Sequence, residues 1–253
     1  MVVLKTRAEI EKMRTCGQIL ARIRAQVKQA IKPGVTTDEL DQIVAKLLKD
    51  EGAEASFLGY NGYPKNSCIS VNEEVVHGIP GPRLINDGDI VGFDLGVFYD
   101  GYHTDSAWTF AVGEVTPKVK LLLEVTEQSL KLGIEKAKPG NRIGDISAAV
   151  QKYVESHGFG VVRDLVGHGI GQSIHEGPSI PNFGKAGTGP RIKEGMTICI
   201  EPMVNEGTWR VKQLDDGWTI VAGDGKASAH FEHTIAIGKN GPEILTALPG
   251  QPY

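Results

Sequence analysis

The sequence predicts an α+β fold in which two α/β halves, related by a pseudo-twofold axis, surround a central antiparallel sheet. Three observations predict it. The chain repeats one pattern of helix and strand signals after 106 to 107 positions. Helix-period apolar stripes alternate with strand-length apolar runs. Two of those runs should be buried, yet each carries one acid. The expected organisation is a single domain over residues 1–253, with halves of about 1–115 and 116–253.

The elements follow in order. Residues 7–31 place Ile10, Met13, Leu20, Ile23, Val27 and Ile31 near helical spacing. Lys32-Pro33-Gly34 then leads to Thr36 and Glu39, a capping box. Leu40, Ile43, Val44, Leu47 and Leu48 form the stripe behind it, and Gly52 is the stop. Asp87-Gly88-Asp89 introduces the run Ile90–Val97 with Asp94 inside it. Tyr99-Asp100-Gly101 is a hairpin turn, and the returning strand carries Asp105. Both aspartates then face one side. The second half opens at Thr116-Pro117, a cap followed by proline in the first helical turn, with a helix over 117–136. Lys138-Pro139-Gly140 repeats the first half's signal. Ile146, Ala149, Val150, Tyr153 and Val154 repeat the stripe, and Gly158 the stop. Lys193-Glu194-Gly195 introduces the run Thr197–Val204, which holds Glu201 where the first half has Asp94. Asp105 leads into Trp108–Gly113 as Glu232 leads into Thr234–Gly238.

An unpaired carboxylate in a buried strand costs several kcal/mol or protonates. Bound cations remove that cost. Asp94, Asp105, His168, Glu201 and Glu232 therefore read as one metal site, and four carboxylates with one imidazole suit two divalent ions. Such ligands fit Mn, Fe, Co or Zn and not a thiolate site. His168 sits in Gly167-His168-Gly169-Ile170-Gly171, whose glycine spacing is not that of a phosphate loop. His77 and His175 lie in Gly/Pro-rich loops. His157 reads as a helix-end residue, and His103, His230 and His233 as neighbours of the ligands.

Bulk composition narrows the class. Charged residues are 23% and the net charge is −4, which does not suggest a nucleic-acid surface. No run is long and apolar enough for a membrane span, and the start Met1–Thr6 does not resemble a signal peptide. Cys16, Cys68 and Cys199 are scattered and odd in number, so no disulfide framework is expected. A cytoplasmic protein follows.

At these residues the chain resembles the type I methionine aminopeptidases of the bacterial kind, which have the pita-bread fold. The matching stretches are Gly59–Pro64, Cys68–Glu73, His77-Gly78-Ile79-Pro80, the hairpin with Asp94 and Asp105, Gly167–Gly171, His175-Glu176-Gly177-Pro178, Glu201-Pro202-Met203, Asp216–Thr219 and Glu232-His233-Thr234. They run from about residue 5 to 248. The resemblance implies removal of the initiator methionine from nascent proteins when the second residue is small. It implies that Asp94 chelates one metal, that His168 and Glu201 bind the other, and that Asp105 and Glu232 bridge both. A metal-bridging hydroxide would attack the scissile carbonyl, with Glu201 as general base. His175 would bond the carbonyl oxygen and His77 would lie near the scissile nitrogen. The methionine pocket maps to Tyr60, Tyr63, Cys68 and Trp218, with Phe57 and Ile174 beside them. Phe57 stands where a cysteine is frequent and Ile174 where a phenylalanine is frequent. Asn72 and Ser228 match a monovalent-cation site of some members. N-terminal Met peptides are the implied partners, the ribosome is a further one, and a monomer is expected.

Two other readings compete. A prolidase or Xaa-Pro aminopeptidase shares the fold but usually carries a large extra N-terminal domain, whereas about 90 residues precede Asp94 here. A binding module that lost the chemistry would lack ligands, and all five are present.

Overall fold

A computed structural model describes residues 2–248 and 250 of the chain; the outermost positions of the 1–253 domain expectation lie outside the described residues. Four α-helices lie among them: α1 (Arg7–Ala30), α2 (Thr37–Glu51), α3 (Pro117–Lys136) and α4 (Ile143–Ser156). The caps explain their starts. In α2 the Glu39 amide donates to Thr36 Oγ1 (3.1 Å) and the Thr36 amide to Glu39 Oε2 (2.7 Å). Thr6 and Glu9 make the same box at α1. Thr116 caps α3, with Pro117 following. The equivalent place in α4 is Arg142, whose amide donates to Asp145 Oδ2 at 2.7 Å. Only half of the box survives there, because arginine has no acceptor to offer the helix amides.

The apolar stripes sort the molecule. One buried cluster draws on residues 16–112, including Leu20, Ile23, Leu40, Val44 and Phe93. Another draws on residues 122–237, including Leu130, Ile146, Val150, Ile198 and Phe231. Each helix pair thus covers the strands of its own half.

The hairpin strands Ile90–Tyr99 and Tyr102–Ala111 pair along their whole length. Asp100 and Gly101 both have positive φ (48° and 83°), the backbone that a two-residue hairpin turn requires. In the second half, Thr197–Ile200 pairs with His233–Gly238 inside a five-stranded sheet. Every ladder between named strands is antiparallel.

The central sheet is less continuous than the sequence suggests. Where the hairpin strand Tyr102–Ala111 meets residues 230–234, one backbone bond, Glu232 N to Ala107 O (2.8 Å), is supplemented by hydroxyl stitches. Thr234 Oγ1 accepts the Asp105 amide and donates to the Asp105 carbonyl, both at 2.8 Å. Thr109 Oγ1 does the same at His230, at 2.9 Å. Ser106 Oγ donates to the Glu232 carbonyl at 2.8 Å. These side chains replace a ladder where the chain must turn its acids inward.

Candidate dinuclear metal centre

The ladder register places the first two acids. Asp94 pairs with Ala107 and Gly96 with Asp105, so Asp94 and Asp105 are diagonal neighbours on one face. Cys68 lies directly opposite Asp94 on the other side and shares that face. Glu201 follows the strand Thr197–Ile200 and precedes Pro202, which has no amide to donate and interrupts the ladder. Glu232 sits just before His233–Gly238, and His168 in the middle of the short strand Gly167–Gly169.

The five sequence-predicted ligands come together on one cavity of about 440 Å³. Ligand atoms of Asp94, Asp105 and Glu232 lie within 4.8 Å of one another, and so do those of His168, Cys199 and Glu232. His168 Nε2 is 3.6 Å from Glu201 Oε1. Its Nδ1 is 2.9 Å from the Gly169 carbonyl. A carbonyl only accepts, so Nδ1 carries the proton and Nε2 keeps its lone pair for a metal.

The electrostatics of the cluster fit a bound cation. Asp94 Oδ1, Asp105 Oδ1 and Glu232 Oε1 are buried with no hydrogen-bond partner. Burial, then the charges of Asp105 and Glu232, holds the Asp94 carboxyl well above its ordinary range. Burial pushes Asp105 up to about 7. Glu201 and Glu232 are also held well above their usual range, first by burial and then by neighbouring carboxylates. Burial drives His168 the other way, down to about 4, with His175 adding to it. Mutually close, unsatisfied carboxylates beside a neutral imidazole form a site that divalent ions complete.

Around the cluster lie the substrate candidates. Tyr60 hydroxyl and His175 Nδ1 are 2.8 Å apart. The His168 and His175 rings approach to 4.3 Å between centroids. His77 adopts a left-handed backbone (φ 59°), an uncommon conformation for a residue with a Cβ. Asp216 Oδ1 accepts the amides of Trp218 and Thr219 at 2.8 Å, a turn that sets the Trp218 ring 5.0 Å from Tyr63 and 6.4 Å from His77. Tyr63 is buried and its hydroxyl is 3.1 Å from the carbonyls of Ser67 and Gly78. Phe57 and Cys68 also line the cavity.

Ile174 differs from the expectation. It is buried and is not on the cavity wall. Its side chain packs beside Phe57 over Gly96, where an added Cβ would meet Phe57 Cε1 at 2.9 Å and Ile174 Cδ1 at 3.1 Å. The Asn72 and Ser228 side chains are committed elsewhere. Asn72 bonds Asp89 (2.8 Å) and the Ile90 amide (3.0 Å), while Ser228 Oγ donates to Asn205 Oδ1 (2.8 Å).

Two neighbours escaped the ligand reading. Cys199 lies two residues from Glu201 on one strand face, a spacing that could have revealed it. His230 is buried, with Nε2 unpartnered and 3.9 Å from Glu201 Oε2. His103 bonds Ser56 Oγ (2.8 Å) and His233 bonds Thr246 Oγ1 (2.8 Å). His157, at the end of α4, is 2.8 Å from the Tyr153 carbonyl.

Comparison with known proteins defines the class. The model of metallopeptidase family M24 matches residues 11–239, and the chain belongs to that family. Its fold is accordingly the pita-bread fold, and it is a metallo-aminopeptidase. Among relatives, methionine aminopeptidase 1 of Bacillus subtilis is 54% identical over 248 residues, covering 98% of this chain and 100% of that one. A crystal structure of methionine aminopeptidase from Thermotoga maritima superposes with a TM-score of 0.97 at 47% identity, covering 98% of this chain and 100% of that one. A prolidase from Pyrococcus furiosus matches at 26% identity and a TM-score of 0.79, with only 66% of that chain covered. No helix among the described residues is long and apolar enough to cross a membrane.

Proposed function

We propose that this chain is a methionine aminopeptidase that removes the N-terminal methionine of newly made proteins when the second residue is small. One observation carries the reading: a single cavity joins the five ligands to a wall of aromatic and sulfur side chains. Tyr63, Cys68, Trp218, Phe57 and the rim residue Tyr60 suit an unbranched, polarizable thioether. Whole-length similarity to proteins named methionine aminopeptidases supports it. The lower identity and TM-score of the prolidase, 26% and 0.79 against 47% and 0.97, disfavour an Xaa-Pro specificity.

Asp94 would hold one divalent ion, His168 and Glu201 the other, and Asp105 and Glu232 both; Mn, Fe, Co and Zn all fit these ligands. When bound, the ions supply Lewis-acid polarisation and an activated water. The chain's own residues do the rest. Glu201 takes the proton of the attacking water and passes it to the departing amine, a role its place on the cavity wall allows. Burial keeps His175 neutral at physiological pH. In the tautomer where the Tyr60 hydroxyl donates to Nδ1, its Nε2–H is free to donate to the carbonyl oxygen as charge develops there. His77 is likewise kept neutral, by burial and by His175, and positions the scissile nitrogen. A monovalent cation near Asn72 and Ser228 would rest on carbonyl oxygens, because both side chains are already engaged. In this reading the chain works as a cytoplasmic monomer on nascent chains at the ribosome.

The test uses metal-free protein reloaded with Mn, Fe, Co or Zn and the peptides Met-Ala-Ser, Met-Lys-Ser and Ala-Pro. Methionine release from the first, far slower release from the second and no cleavage of the third are expected. No release from Met-Ala-Ser with any metal overturns the proposal. Preferential cleavage of Ala-Pro moves the chain to the Xaa-Pro class.

A further inference from the structure

A second cavity, of about 530 Å³, lies between α1 and the hairpin strand Tyr102–Ala111, with Ala247 and Leu248 at its edge. It is separate from the metal-centre cavity. Its polar side chains include Arg24, Lys28 and His233, and no Asp or Glu lines it among the described residues. Its aromatic wall is Trp108 and Phe110.

The cations are held in place without acidic partners. The Arg24 guanidinium lies 5.0 Å from the centre of the Trp108 ring and donates to Ser106 Oγ and to the Thr246 carbonyl (3.1 Å). Those are neutral acceptors, so its charge is not cancelled. Burial lowers Arg24 to about 10, which still leaves it protonated at neutral pH. Lys28 Nζ lies 5.6 Å over the Phe110 ring, and neither cation forms a salt bridge among the described residues.

His233 adds a third donor. It is 1% exposed and its Nε2 has no partner. Thr246 Oγ1 accepts the Thr234 amide (3.2 Å) and lies 2.8 Å from His233 Nδ1, a contact in which the hydroxyl can be the donor. In that tautomer Nε2 carries the ring hydrogen. Guanidinium, ammonium and imidazole line one cavity beside an apolar wall, a donor set that an anion satisfies.

We propose that this cavity binds a small organic oxyanion, a carboxylate or a phosphate, whose charge meets Arg24, Lys28 and His233 and whose flat body lies on Trp108 and Phe110. The site owes nothing to the peptidase chemistry, so it stands or falls separately from it.

Benzoate and phenyl phosphate share a body and differ in head group, so comparing them identifies the preferred oxyanion. The metal-loaded protein is titrated with each, by calorimetry and by tryptophan emission. At least one should saturate at one molecule per chain and change the emission, and Trp108→Phe should remove that change. Lys28 is solvent-exposed, so Lys28→Glu keeps the fold and should leave Met-Ala-Ser hydrolysis unchanged. It should weaken the anion about tenfold, the loss of one charge-assisted contact. Arg24→Gln should weaken it further. No saturable binding of either anion, or wild-type affinity in Lys28→Glu, overturns the proposal.

Discussion

The two halves place equivalent acids by different means. In the first half Asp94 sits inside a ten-residue strand whose pairing with Tyr102–Ala111 is unbroken. In the second half Glu201 follows a four-residue strand that Pro202 interrupts. A short aspartate reaches the centre from an intact ladder, while a longer glutamate reaches it from a broken one. The difference matches the proposed division of labour. The half with the continuous hairpin supplies Asp94 purely as a ligand, and the interrupted half supplies Glu201, which must also move a proton. Function thus falls where the regular backbone gives way.

The largest expected effect breaks this asymmetry directly. Glu201→Gln removes the proton acceptor while keeping size and fold, and turnover should fall by roughly 10²–10⁴-fold. Steady-state kinetics beside a thermal melt checks both parts, and near-normal turnover would refute the role.

Much of this comparison could be read in the sequence. Asp94 and Glu201 stand out because each is an acid in a run otherwise fit for burial, and the repeated glycines at 88 and 195 align them. The hairpin was legible because Asp100-Gly101 has the one backbone that joins such strands tightly. What was not legible depends on packing across distant segments. Ile174 is off the cavity wall, packed beside Phe57 in the space that the missing Cβ of Gly96 leaves. The break in the central sheet depends on three hydroxyls, at Ser106, Thr109 and Thr234, whose partners lie more than 120 residues away. Arg24 reads in sequence as an ordinary basic position on α1. Only the fold stacks it on Trp108.

A smaller effect concerns pH. The metal-free protein holds protons on Asp94, Asp105, Glu201 and Glu232 at pH values where the unfolded chain has lost them. Stability should therefore fall as pH rises, from the ordinary carboxylate range through the raised folded values, about 7 for Asp105. Below about pH 6.5 the buried histidines oppose this, since His168, His103 and His230 are pushed down to about 4, about 4 and about 3 and resist the protonation that favours unfolding. The metal-free protein should thus lose stability as pH rises from about 6.5 through about 7, and metal loading should remove that loss. Melting temperatures with and without metal across this range test it. An equal slope in both forms would contradict it.

The smallest effect tests the seam between the halves. Thr109→Val leaves the His230 amide and carbonyl without their hydroxyl partner and should cost about 1–3 kcal/mol. Chemical denaturation measures this, and no change would mean that the stitch contributes nothing.

The central claim is that both halves build one two-metal site. Equilibrium dialysis followed by elemental analysis, at saturating Mn or Co, tests it most directly. Two divalent ions per chain are predicted. Asp94→Asn should retain one ion, and Asp105→Asn, which alters a shared ligand, should weaken both. Fewer than one ion per wild-type chain, or two ions held as tightly in Asp105→Asn as in the wild type, would contradict the account.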